Sequence, residues 1–173
     1  MANIITNEKS GAAQYLLASD GDLSSMVSVL LLGGSELARS AWERELLTWL
    51  AEHDQAVLGR GLAGFDLDEI AWDPERFTEQ QGFLLRVIDR ARAGHRWDVL
   101  GPARPDDPAS RPVLHKLEQL RGMVSSYRME YIEPPKRWTW QTTPDRIEKC
   151  PVHDVFSHGQ GCQICNRPTQ AGE

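Results

Sequence analysis

The sequence predicts a mainly α fold: a helical, bundle-like body over residues 1–132, then an extended connector and a compact tail over residues 133–173. Three observations predict it. Apolar residues recur at helical spacing in several segments before residue 132. Pro134-Pro135 stops any helix that precedes it. All three cysteines, Cys150, Cys162 and Cys165, lie within sixteen residues near the C-terminal end. A length of 173 residues suits one core with a small appendage, and 40% hydrophobic with 25% charged residues is ordinary globular composition.

The elements follow in order. Ser10 is placed to cap a short helix through Ser19, the Ser19–Asp22 run reads as a turn, and Asp22 caps a second helix ending before Gly33-Gly34. Ser35 precedes a longer helix whose Trp42, Leu46, Trp49, Leu50, His53 and Val57 share a stripe, with Gly59 as its stop. Asp73-Pro74 is a side-chain cap followed by a proline suited to a first turn, so a helix is expected from Pro74. Its face carries Phe77, Leu84, Leu85, Ile88 and Ala91, and Gly94 ends it. The stretch from Gly94 to Arg111 is too rich in proline and aspartate for a regular element and reads as a surface loop. Val113, Leu117, Leu120, Val124 and Tyr127 resume a helical period, which Gly122 weakens. Arg137–Thr142 alternates large apolar with polar residues, as a short strand or an extended arm does.

Charge and cysteine usage bound the function. A formal charge of −6 and a pI near 5.4 disfavour nucleic acid or an anionic lipid surface and suit a basic protein partner. No basic, apolar leader opens the sequence, and no apolar run approaches the length that spans a bilayer, so a cytoplasmic location and no membrane partner are expected. An odd, clustered set of cysteines fits metal ligation in a reducing compartment better than disulfides.

The tail reads Cys150-Pro151-Val152-His153, eight residues, then Cys162-Gln163-Ile164-Cys165. Two pairs at two-residue spacing each form a tight turn that points both donors at one ion, and three thiolates with one imidazole match the tetrahedral preference of zinc. One structural Zn2+ per chain is expected. His158 also lies between the pairs and is an alternative fourth ligand, although only Cys150 and His153 have the knuckle spacing. Four protein ligands leave no open position for water, so no catalytic residue is assigned.

The remaining motifs are weaker. His53-Asp54 resembles the pair of metal-dependent phosphohydrolases, but His53 is the first histidine in the chain, which removes the upstream partner ligand. His95 and His115 have no recognisable nucleophile nearby. The Gly61–Asp73 segment interleaves Asp66, Asp68 and Glu69 with Phe65 and Trp72. It reads either as a solvated loop packed by its apolar members or as an acidic, aromatic surface for a basic protein. Lys136–Trp140, with Trp138 and Trp140 beside basic residues, offers a nucleic-acid reading, although a segment packed on the body suits it better.

The run GLAGFDLDEIAWDPERFTEQQGFLLRVIDRA, followed by Arg96-Trp97 and a proline-rich loop, resembles small bacterial immunity proteins of polymorphic toxin systems. The resemblance covers Gly61–Trp97 and implies neutralisation of a toxin by binding, with no role for individual residues. The expected function is therefore a cytoplasmic, zinc-stabilised protein-binding module. A nucleic-acid-associated regulator using the tail and Lys136–Trp140 is the alternative, and a hydrolase that no motif reveals is third.

Overall fold

The computed structural model of the chain describes residues 3–59, 62–101, 104–132 and 136–167. Strand β1 (Asn3–Asn7) pairs antiparallel with β2 (Gln14–Ala18), and β3 (Gly64–Asp66) pairs with β1 in parallel, in the order β2-β1-β3. The helix expected from Ser10 to Ser19 is thus corrected to a turn and a strand. Leu16 and Ala18 point into the core while Tyr15 and Leu17 point out, a period of two that is masked in the sequence because both faces carry apolar residues. The fold is accordingly not purely helical.

Helix α1 (Asp20–Gly34) is capped by Ser19, whose hydroxyl accepts from the Asp22 N–H at 3.2 Å; Asp22 sits in the first turn rather than at the cap. Gly33 and Gly34, expected to lie beyond the helix, are its last two residues. A Cβ on Gly33 would come within 2.9 Å of the Val87 carbonyl oxygen, and one on Gly34 within 2.6 Å of Leu47 Cδ2. Their use is close approach to the neighbouring helices, not termination.

Helix α2 (Ala41–Glu52) opens with a reciprocal cap in which Ser40 Oγ accepts from the Glu43 N–H and Glu43 accepts from the Ser40 N–H. It ends at Glu52, not Val57: His53 leaves helical geometry, a short α3 (Gln55–Leu58) follows, and Gly59 turns the chain at φ +88°. Helix α4 (Phe77–Arg92) begins three residues later than expected, because Asp73 caps the turn ahead of it by accepting from the Glu75 N–H. The Gln80 side chain accepts in turn from the Asp73 N–H. Gly94 ends α4 at φ +81°, as its position implied.

Two short 3-10 turns, Trp97–Leu100 and Pro108–Ser110, interrupt the expected loop, and Trp97 is buried there. Helix α5 (Arg111–Ser126) follows. Pro134-Pro135 and Gly61 lie outside the described residues. Residues 137–142 form an extended arm without strand pairing, and Trp138 rests on Trp42 and Trp49 at centroid distances of 5.9 and 5.5 Å.

Helix α1 is apolar nearly all round and forms the centre, with α4, α2 and α5 packed about it and the inner face of the sheet closing one side. Val155, Phe156 and Ile164 of the tail are buried in the same apolar cluster as the helices. No helix among the described residues is long and apolar enough to cross a membrane.

Candidate metal centre

The tail is built from two tight turns. In the first, an antiparallel bridge between Lys149 and Phe156 brings the chain back, and the Asp154 N–H donates to the Cys150 carbonyl at 2.8 Å. Asp154 takes φ +50° to complete the turn. In the second, Gly161 at φ +110° enters a turn closed by the Asn166 N–H donating to the Cys162 carbonyl at 3.0 Å. Each turn points backbone N–H groups at its leading sulfur: those of His153 and Val152 at Cys150, and those of Cys165 and Ile164 at Cys162. Such bonds favour thiolates.

These turns bring Cys150, His153, Cys162 and Cys165 together, with their donor atoms all within 4.8 Å of one another. His153 Nδ1 lies 3.8 Å from Cys150 Sγ, 3.7 Å from Cys162 Sγ and 3.3 Å from Cys165 Sγ, and the Cys150 and Cys165 sulfurs are 3.7 Å apart. Tetrahedral zinc bonded at its usual lengths separates two sulfurs by about 3.8 Å and a sulfur from a nitrogen by about 3.5 Å. The donor set fits that ion in kind and in spacing. All three cysteines are free thiols, and the Cys150–Cys165 separation is far beyond a disulfide bond. His158, the alternative ligand, stands apart: its Nδ1 accepts from the Gln160 N–H at 3.1 Å and its ring is buried.

The electrostatics of the cluster favours a cation. Burial resists ionisation of Cys150, but the N–H groups of His153 and Val152 overcome it and hold that thiol below its ordinary range. Burial pushes the Cys162 thiol up to about 11, and burial together with Cys150 raises Cys165. Crowded thiols of this kind cannot all carry charge unless a divalent cation neutralises them. A closed shell of four protein donors is the arrangement of a structural site.

No protein-family model, curated protein or solved structure matches the chain. What the site does must therefore be read from its own geometry.

Spacing found the four clustered donors but not the groups that seat them. Glu52, 0% exposed at the end of α2, accepts from the Gln141 N–H at 2.8 Å, the Thr142 N–H at 3.2 Å and the Thr142 hydroxyl at 2.9 Å. Thr142 Oγ1 accepts from the Gly159 N–H, so one buried carboxylate fixes the connector against the body and, through it, the loop between the two turns. Arg96, at φ +57°, donates to the His153 carbonyl at 2.7 Å. Ser35 Oγ accepts from the Phe156 N–H, and Gln163 and Arg167 donate to Ser24 and Ser25 on α1. The one legible hint was an acid on the apolar stripe of α2.

Within the acidic segment, Phe65, Asp68 and Trp72 are placed differently from members of a free binding surface. Phe65 and Trp72 are buried in the core, and Trp72 Nε1 donates to the Leu67 carbonyl. Asp66 accepts from Thr6 Oγ1 and from the N–H groups of Glu8 and Asp68, while Glu69 accepts from the Asp66 N–H. Asp68 pairs with Lys9 at 3.0 Å and with Lys136, and it accepts from the Tyr127 hydroxyl at 2.9 Å. Burial opposes its charge, but the bonds from Lys136, Lys9 and Tyr127 outweigh burial and hold its carboxyl below the usual carboxylate range. Phe65 and Trp72 are thus core anchors, and the charge of Asp68 is balanced within the fold. His53 is likewise a core group, its Nδ1 2.7 Å from the Trp49 carbonyl and its protonation disfavoured by burial.

Proposed function

We propose that the chain is a zinc-stabilised, non-catalytic binding module that acts in the cytoplasm by occluding a basic protein partner, as the immunity proteins resembled by Gly61–Trp97 do. The observation that carries the reading is the closed Cys150, His153, Cys162, Cys165 donor set, all of whose coordinating capacity goes to holding the tail on the helical body. The formal charge of −6 supports a basic partner. Lys136 is drawn to Asp68 and Trp138 Nε1 donates to Glu45 at 2.9 Å, which favours this reading over a nucleic-acid stacking platform.

Affinity capture from the native cell, with zinc-loaded and chelator-stripped protein side by side, tests the proposal. A basic protein retained only by the zinc-loaded form is expected. Retention of nucleic acid instead, or turnover of a substrate, would count against it.

A further inference from the structure

Six large apolar side chains stand out as exposed among the described residues, and four of them share one face of the sheet. Ile4, Tyr15 and Leu17 are 39%, 58% and 53% exposed, and Ile4 sits opposite Leu17 across the β1–β2 pair. Leu62, 63% exposed, continues the outward alternation of β3, because Ala63 and Phe65 are buried between and beyond it. Gly64, at φ +133°, faces Ile4 so closely that a Cβ would meet the Ile4 carbonyl oxygen. It lets β3 approach β1 closely at this point. Such a face, unpaired among the described residues, is the kind of surface that marks a contact site.

The surrounding charge says what covers it. The three strands contain no lysine or arginine. Asp66 lies on the face opposite Thr6, with Glu8 and Glu69 beside it at one end, and Asp20 and Asp22 follow β2 at the other. Lys9, which follows β1, is engaged by Asp68. Two copies of this chain joined through the face would set acid against acid, which is costly. We infer that the outer face of the β2-β1-β3 sheet is the docking surface, and that its occupant is a protein segment presenting apolar side chains ringed by lysine or arginine. The inference rests on the binding-module reading and gives it a surface.

The test is an NMR titration of zinc-loaded, 15N-labelled protein with a synthetic strand peptide alternating valine and lysine, against a counterpart alternating valine and glutamate. The lysine peptide is expected to shift the amides of Ile4, Tyr15, Leu17 and Leu62, more weakly as salt rises, and the glutamate peptide to leave them still. Leu17→Ser and Tyr15→Ser, each at an exposed position, should weaken the lysine peptide about tenfold or more while zinc content and helical signal are kept. Shifts confined to another surface, equal response to both peptides, no response, or self-association abolished by Leu17→Ser would each overturn the face. Zinc-dependent capture of a cellular partner that survives both variants would overturn the face alone. Substrate turnover with the face still responding would overturn the module reading alone.

Discussion

Replacing Glu52 by alanine removes the acceptor of three hydrogen bonds at a position without solvent access, and the structure sets the cost. A hydrogen bond to a charged group contributes about 1.5–3 kcal/mol. The Thr142 hydroxyl can turn to another acceptor, so the two backbone donors of Gln141 and Thr142 carry most of the loss. Removing a negative charge from the C-terminal end of α2 returns about 0.5 kcal/mol. The net destabilisation is about 3 kcal/mol, which for a chain of 173 residues lowers Tm by about 9 °C. Thermal unfolding of the zinc-loaded protein, followed by tryptophan fluorescence, reads this directly, because Trp49 and Trp138 sit beside the arm that Glu52 holds. Zinc should also pass to a chelator faster, since the Thr142–Gly159 bond is then unsupported. Glu45→Ala is the control: Glu45 accepts one bond, from Trp138, at a half-buried site, and should cost about 1 kcal/mol. A Glu52→Ala protein within about 2 °C of the wild type, or no worse than Glu45→Ala, would refute the reasoning.

Other expectations are equally specific. Gly33→Ala should destabilise by about 1–3 kcal/mol in urea unfolding because its Cβ meets the Val87 carbonyl, whereas Gly122→Ala, with open space at the Cβ, should stabilise by about 1 kcal/mol. His153→Ala should lose zinc on purification and His158→Ala should keep it, by elemental analysis. Asp68 has its carboxyl lowered in the folded state, so its contribution is full above the unfolded value of about 3.9 and is lost as pH falls below it. Asp68→Asn should therefore flatten the acid limb of the stability curve below about pH 4 and leave its slope near neutrality unchanged.

Much of the helical body was legible because α2, α4 and α5 each place bulky apolar residues on one stripe, a signal local to the segment. The cluster of four donors was legible for the same reason, two residues separating each pair. What was misread depends on distant partners. The β1–β2 hairpin hides behind an apolar residue on either side of Leu16, and β3 pairs with β1 across sixty residues (Ile4 with Gly64). Gly33-Gly34 look like a stop in isolation and act as a packing surface only once Val87 and Leu47 are beside them. The burial of Phe65 and Trp72 agrees with a loop packed by its apolar members, but Asp68 is not solvated as that reading has it, since nothing in the segment reveals Lys9, Lys136 and Tyr127 converging on it.

The central claim is that the four tail donors hold one zinc ion, and zinc K-edge absorption on purified protein tests it most directly. The account predicts one zinc per chain with three sulfurs at about 2.3 Å and one nitrogen at about 2.0 Å. Substoichiometric zinc, or a shell of oxygen and nitrogen without sulfur, would contradict it.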